Sequence, residues 1–350
     1  MDILKDKNKI LLYYKMSKID IKFELLANKK NEGFENSFLT LKIKGKDVFP
    51  ELVNSFRRIV MCELPKYAYE NITITKNTSI FDNDKMTLRL SLLPIFNIKT
   101  GDKDVDKFHE ELSFLEQKYW KDIDHKDPKQ RYPKSLDIDL YITANNNTNK
   151  IMNVTTKDAL YMVNGQKVSY ENPNPDEPIL LIQLNENQQF EAHIKAVMGL
   201  GEAHDKWSCC HAYYEYEEET DINFTLESFG QFTERTLLLK AMDNIVIKMT
   251  NIEKDVKNNS AKGASNNIME ISLIDEDDTI SRLINALMQD DERVIFCGVS
   301  KPDFLIKTMV IKVVTTDEKN KPVDIFVDAV KKAKNIVEHC KKELLSLSIK

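Results

Sequence analysis

Two nearby carboxylates are the residues of this sequence best suited to metal-dependent chemistry. Asp82 and Asp84 form an Asp-x-Asp pair, and paired carboxylates of this kind hold Mg²⁺ in the two-metal sites of nucleotidyl transfer. No third carboxylate or phosphate-binding lysine stands at motif spacing, and a helical pattern follows at once. An acidic residue directly before a helix is typical of an N-cap, which is therefore the favoured interpretation.

A second candidate is the run of histidine and cysteine formed by His204, Cys209, Cys210 and His211. Its atoms are compatible with zinc, but adjacent cysteines chelate one tetrahedral ion poorly, since structural zinc sites favour spaced pairs. The sequence also lacks a Walker A motif, a Gly-x-Ser-x-Gly elbow and a catalytic Cys-His pattern. We therefore predict no catalytic, cofactor or metal site in this chain.

A pair of arginines, Arg57 and Arg58, interrupts the apolar helical pattern of "VNSFRRIVMC". From the residues alone, the pair is either a solvated helix face or part of a phosphate-binding patch. The chain as a whole has a net charge of −6 and an isoelectric point near 5.7. This balance argues against a protein that coats nucleic acid, because such binding depends on releasing counterions with many basic residues.

Composition is that of a soluble globular protein with room for two or three domains. Of its 350 residues, 42% are hydrophobic and 30% are charged. The apolar run near the amino terminus, residues 10–14, is too short for a signal peptide or a membrane span. The five cysteines form no Cys-x-x-Cys pair, so we expect reduced thiols and an intracellular protein.

The elements that carry these residues follow one plan twice. "FLTLKIK" alternates like a strand, and Asp47 and Pro50 then predict the N-cap and first turn of a helix. Apolar spacing predicts a short helix over 84–93 and a long one over 233–257. After 257–267, whose small polar residues predict a flexible linker, the order repeats as strand, helix, strands and a long final helix that opens with Pro322.

The sequence therefore predicts an α+β fold of two similar modules, with a β-rich domain inserted in the first. The predicted boundaries are 1–96 and 217–256 for the first module, 97–216 for the inserted domain, 257–267 for the linker and 268–350 for the second module. A long helix with one apolar stripe needs a partner stripe. We expect the helices of both modules to supply it to each other, as an intramolecular pseudo-dimer whose core contains Phe56, Ile59, Leu238, Ile245, Ile280, Leu283, Val330 and Val337.

With these residues in place, the chain resembles the assembly subunit of DNA-directed RNA polymerase. The stretch from Val53 to Ile95 resembles the third eukaryotic subunit, archaeal D and the amino-terminal domain of bacterial alpha, and "INFTLESFG" resembles the strand that returns to their dimerisation domain. The segment from Ile268 onward is similar to the eleventh eukaryotic subunit and archaeal L, through "DDTISRLINALMQDDERVIFCGVSKP". The two modules then correspond to two fused, alpha-like subunits.

Two departures from the family pattern qualify what the resemblance implies. The partner's Asp-His-Thr-Leu-Gly-Asn reads Asp-Asp-Thr-Ile-Ser-Arg at 277–282, which keeps the helix start but loses the His, Gly and Asn. Many third subunits carry a zinc loop, yet no cysteine lies between positions 63 and 208. The fusion itself is known from large cytoplasmic DNA viruses, so the resemblance points to a viral polymerase.

The resemblance implies a non-catalytic scaffold that nucleates assembly of the two large polymerase subunits. It also implies a small partner homologous to the tenth eukaryotic subunit, little contact with DNA, none with membrane, and Mg²⁺ in the largest partner only. The residues implied at the large-subunit interface are Asn54, Arg57, Arg58, Arg89, His204, Lys206 and Trp207. A viral source implies the host cytoplasm and the virion, with the nucleus also open.

A different class of function stays open at this point. The chain could be a stand-alone metal-dependent nucleotidyl transferase built on Asp82, Asp84 and the histidine and cysteine run.

Overall fold

The structure is a computed structural model. It describes residues 19–30, 37–96, 136–168, 178–258, 262–265, 267–317 and 320–349. The charged stretch over 97–135, which the sequence predicts to be irregular, lies outside the described residues.

The first unit is an antiparallel sheet covered by a short and a long helix. Its strands are β1 (Lys22–Lys29), β2 (Phe38–Lys44), β10 (Cys210–Glu218) and β11 (Asp221–Ser228), in the order β1-β2-β11-β10. Its helices are α1 (Pro50–Cys62) and α3 (Glu234–Asn258). Alternate residues of β2, Leu39, Leu41 and Ile43, are buried beneath these helices, as expected of a strand with one face on a core.

The start of α1 differs from the prediction. Its N-cap is Phe49, which makes no capping side-chain bond, and not Asp47. The Asp47 carboxylate instead accepts a hydrogen bond from the backbone N–H of Asp20 at 2.8 Å. Pro50, whose missing N–H costs nothing in a first turn, lies where the sequence predicts it.

The second unit repeats the arrangement. Its strands are β12 (Lys262–Ser265), β13 (Ile268–Ile274), β14 (Val294–Ser300) and β15 (Thr308–Thr315), in the order β12-β13-β15-β14. Its helices are α4 (Asp278–Gln289) and α5 (Pro322–Ser346). β12 corrects the prediction of a linker without structure over 257–267, because it pairs antiparallel with β13.

A middle unit has its own core. It contains β3 (Pro65–Asn77), α2 (Asn83–Ser91), β4 (Ile138–Asn145), β5 (Met152–Thr155), β6 (Leu160–Val163), β7 (Gln166–Val168), β8 (Leu180–Leu184) and β9 (Gln189–Leu200). The sheet order is β3-β9-β4-β6-β7, with β5 and β8 as a separate pair. β3 and α2 were grouped with the first module from sequence, but their apolar side chains belong to this core.

The first and second units share one continuous hydrophobic core, made where α1 contacts α4 and α3 contacts α5. The eight residues predicted for the core between modules are all fully buried in it: Phe56, Ile59, Leu238, Ile245, Ile280, Leu283, Val330 and Val337. Burying each such side chain contributes roughly 1.5–3 kcal/mol. None of the helices that the structure describes combines the length and apolar character needed to cross a membrane.

Candidate protein-binding site

The paired arginines lie where α1 meets the start of α4, and they have different partners. The Arg58 guanidinium donates to the Thr279 hydroxyl at 2.7 Å and to the Asp277 carboxylate at 3.0 Å. Arg57 donates to the side-chain oxygen of Asn54, on its own helix, at 3.0 Å. Arg58 therefore binds the second unit, whereas Arg57 is left on the outer side of α1.

Asp277 has two functions at this junction. It is the N-cap of α4, at the helix start that the sequence keeps at 277–282, and it accepts from the backbone N–H of Thr279 at 2.9 Å. Burial by itself raises the pKa of the Asp277 carboxyl, but the bonds from Thr279 and Arg58 outweigh burial and lower that pKa below its usual value. The ionised carboxylate is thus the form that the junction stabilises.

A buried ionic cluster lies next to this contact. The Lys248 ammonium on α3 is 2.8 Å from the Glu63 carboxylate, just after α1, and 3.0 Å from the Glu276 carboxylate, just before α4. The three side chains are only 6%, 7% and 12% exposed. Burial lowers the pKa of Lys248, but the two carboxylates raise it further, so its pKa is above the ordinary value.

This cluster is the part of the site that sequence reasoning missed. A lysine is almost never fully buried unless it is paired. The available signal was that Lys248 stands inside the apolar stripe of α3, between Ile245 and Ile252. Its two partners, Glu63 and Glu276, are far away in sequence, so only the folded chain brings them together.

An open cavity of about 270 Å³ marks the outer side of the junction. It is lined by polar side chains from both helices: Glu51, Asn54, Arg58, Asp278, Thr279 and Arg282. Arg282 donates to the carboxylate of Asp278 at 3.0 Å, one helical turn away. The cavity is therefore lined by side chains of both charges.

Two of the predicted interface residues, Lys206 and Trp207, lie elsewhere, beside β3 and β9. The indole N–H of Trp207 donates to the Val197 carbonyl at 3.0 Å, and its ring is nearly fully buried. A Cβ on Gly199 would lie 2.5 Å from this ring, so glycine is needed there. Lys206 pairs with the carboxylate of Glu70 and lies 4.4 Å from the centre of the Trp207 ring.

The remaining predicted interface residues, His204 and Arg89, also bond within the chain. His204 accepts from the backbone N–H of Lys206 at 3.1 Å. Arg89 donates to the carbonyl of Leu180 at 2.7 Å, which ties α2 to β8. The structure therefore separates the predicted interface residues into a group on α1 and a group around the middle unit, and their contacts with large subunits remain a prediction.

Several of the residues with possible metal chemistry have a structural role in the described parts of the chain. Asp82 is the N-cap of α2 and accepts from the backbone N–H of Lys85 at 2.7 Å. Cys209 and Cys210 are buried, and burial raises the pKa of the Cys209 thiol to about 11. Across the described ranges, no three His, Cys, Asp or Glu side chains are placed to hold one metal ion.

Fold and site together define a chain of two similar α+β units joined through a shared helical layer. Residues 268–343 match the family described as the RNA polymerase Rpb3/Rpb11 dimerisation domain. This match covers the second unit from β13 to most of α5 and leaves out β12.

Similar whole proteins extend the match to the rest of the chain. A putative DNA-directed RNA polymerase subunit of Acanthamoeba polyphaga mimivirus is 22% identical over 90% of this chain and 91% of its own length. The polymerase subunit Rpo3 of Methanocaldococcus jannaschii is 24% identical over 54% of this chain and 76% of its own. Subunit 3 of polymerases II, IV and V of Arabidopsis thaliana is 19% identical over 65% and 68%.

These similarities confirm the predicted resemblance to a fused RNA polymerase subunit of a large DNA virus.

Proposed function

We propose that this chain is the non-catalytic assembly subunit of a multisubunit DNA-directed RNA polymerase. The observation that carries the proposal is the continuous core in which α1, α3, α4 and α5 join the two units, in a chain whose relatives are polymerase subunits. In this proposal the units form a pseudo-dimer within one chain, and the middle unit is an insertion in the first. Its mechanism is binding through surfaces that become buried in a large obligate interface.

The outer side of the α1–α4 junction is the proposed surface for the large subunits. Arg58 is already held by the second unit, so its role is to fix α1 against α4. Arg57 lies on the same helix, and its guanidinium donates to the side chains of Asn54 and Met61, both on α1. A guanidinium in this position suits charge-assisted bonds to carboxylates or carbonyls of a partner.

The remaining elements of the proposal follow from the polymerase role. The partners are the two large subunits and a small subunit homologous to the tenth eukaryotic one, and the largest subunit supplies the catalytic Mg²⁺. The chain has little contact with DNA. A viral source places it in the host cytoplasm and the virion, or in the nucleus.

The alternative, a stand-alone metal-dependent nucleotidyl transferase, has no support. Its leading candidate, Asp82, has its carboxylate engaged at the start of α2. The relatives named above are subunits of polymerases and not single-chain transferases.

The proposal is tested by co-expressing the tagged chain with the two large subunits from the same source and capturing it in high salt. We expect both large subunits to be recovered in stoichiometric amounts, as identified by mass spectrometry. Arg57→Ala is expected to lower capture about tenfold or more, the loss associated with one charge-assisted interfacial bond, while the melting temperature of the isolated chain stays unchanged.

Lys254→Ala is the matched control, because Lys254 is an exposed cation on α3, away from the junction. Its capture should equal that of the unmodified chain. Recovery of the chain without large subunits would refute the assembly role, and full capture by Arg57→Ala would remove Arg57 from the interface.

A further inference from the structure

The two long helices, α3 and α5, share most of their buried apolar positions. Both have 25 residues, and when Glu234 is matched with Pro322 eight buried apolar positions coincide, whereas the buried Ile336 of α5 matches the buried Lys248 of α3. The matched apolar residues are Leu237 with Ile325, Leu238 with Phe326, Ala241 with Ala329, Met242 with Val330, Ile245 with Ala333, Met249 with Val337, Ile252 with Cys340 and Val256 with Leu344. The pattern of buried apolar positions therefore distinguishes the two helices poorly.

The charged residues at the contact between α3 and α5 do distinguish the two helices. Lys341 pairs with Asp243, and Lys334 lies 3.7 Å from Glu253. In both ion pairs α3 supplies the acid and α5 supplies the base. All four side chains are at most 35% exposed, which limits their screening by solvent.

The same matching of α3 with α5 predicts which charges would meet if two copies of α3, or two copies of α5, packed together. The position of Lys341 in α5 corresponds to Glu253 in α3, and the position of Asp243 in α3 corresponds to Lys331 in α5. Two copies of α3 would therefore place Glu253 against Asp243. Two copies of α5 would place Lys331 against Lys341, so both like pairings exchange an attraction for a repulsion.

The short helices show the same asymmetry. When the N-cap of α1, Phe49, is matched with the N-cap of α4, Asp277, the position of Arg58 in α1 corresponds to Ala286 in α4. Two copies of α1 would set Arg58 against Phe49, and two copies of α4 would set Asp277 against Ala286. Both like pairings therefore lose the carboxylate-to-guanidinium bond found at 3.0 Å.

The buried cluster extends this pattern to the centre of the junction. By the same matching, Lys248 corresponds to Ile336 and Glu276 corresponds to Val48. A second copy of the first unit would bring Val48 to the position of Glu276, so Lys248 would keep Glu63 but lose its partner from the other unit. A buried charge that loses a partner is costly.

From these contacts we propose that charge placement makes pairing of the two units exclusive. The first unit selects a partner whose long helix is basic and whose short helix starts with acidic residues, and it rejects a second copy of itself. The apolar layer supplies most of the binding energy, and the ionic contacts supply the choice of partner. The proposal concerns pairing within this chain and does not depend on the polymerase role.

Two single substitutions in the full chain reproduce the contacts of like pairing. Lys341→Glu places at 341 the charge that Glu253 would bring, and Asp243→Lys places at 243 the charge that Lys331 would bring. The combined variant reverses the ion pair and restores attraction. The readout is hydrogen exchange of the α5 backbone amides at low ionic strength, since their exchange reports how often the junction opens.

We expect each single variant to speed exchange in α5 roughly tenfold, which is the effect of losing one partly exposed attraction and gaining a repulsion. The combined variant should return to within about threefold of the unmodified chain, and about 1 M salt should reduce all the differences. Asp255→Lys, a charge reversal at an exposed position of α3, is the matched control and should leave exchange in α5 unchanged.

Single variants that exchange like the unmodified chain would overturn the proposal. So would a combined variant that loses as much protection as the two single variants together. If a charge reversal prevents folding, Lys341→Gln, Asp243→Asn and the combination of the two replace the three variants, with smaller expected changes in the exchange of α5. If the effects of these two neutral substitutions on the exchange of α5 simply added in the combined variant, the proposal would be refuted as well.

Discussion

Removing the Lys248 ammonium is the sharpest test of how the two units are held together. Lys248→Met keeps most of the side-chain volume but takes the Lys248 ammonium away from both Glu63 and Glu276. All three groups are at most 12% exposed. Breaking a buried ionic cluster by removing one member costs about 3–5 kcal/mol, and we expect this loss in the free energy of unfolding measured with urea at neutral pH.

The pH dependence of the unmodified chain follows from the same cluster. The pKa of Lys248 is raised in the folded state, so its contribution is complete below the unfolded pKa of about 10.4. That contribution is lost as the pH rises through the higher folded value. The contribution of Lys248 to the free energy of unfolding should therefore stay constant between neutral pH and about pH 9, and should decrease only above about pH 10.4.

Two controls separate charge from packing in this experiment. Lys254→Met makes the same chemical change at an exposed position of α3 and should cost well under about 1 kcal/mol. Lys248→Met combined with Glu63→Gln and Glu276→Gln removes the uncompensated charges and should recover much of the loss. A Lys248→Met chain that unfolds at the same urea concentration as the unmodified chain would refute the assignment.

Two further outcomes test the middle unit. Gly199→Ala should lower the free energy of unfolding by about 1–3 kcal/mol because the added methyl group overlaps the Trp207 ring. Urea unfolding and a shift in tryptophan emission measure this loss. An unchanged urea midpoint together with unchanged emission would contradict the packing of Gly199 on Trp207. Asp82→Ala should cost about 0.5–2 kcal/mol by removing the N-cap of α2, whereas Asp84→Ala should cost less; equal losses in the urea midpoint would show that Asp82 is not the cap.

Most helices and strands were predictable because one face of each is buried at a regular spacing. The sequence places the long helix at 233–257 and the structure has it at Glu234–Asn258. The predicted N-cap of α1 was wrong because the Asp47 carboxylate accepts a hydrogen bond from the backbone N–H of Asp20. This contact between distant residues is not visible in the local sequence pattern. β12 was missed because its small polar residues are typical of a linker, and its pairing comes from the neighbouring β13.

The site was harder to predict than the fold. The apolar members of the junction, such as Phe56 and Val337, follow from helical periodicity and are fully buried. Arg58 was expected to face a large subunit, yet it is held by Asp277 and Thr279 of the same chain. The sequence around an arginine does not indicate whether its carboxylate partner belongs to the same chain or to another protein.

The position of β2 between β1 and β11 also sets an order of events during synthesis. The ribosome makes β1 and β2 together, but Asp221, at the start of β11, follows Lys44 only after the whole middle unit. At about 5–20 residues per second, β2 waits for β11 for roughly 10–35 s. β9, the last strand of the middle core, is also made before β11, so every strand of that core is synthesised before β2 has its second neighbour. During this interval the edge of β2 that β11 later covers has no strand beside it, and an unpaired strand edge is a template for pairing with another strand.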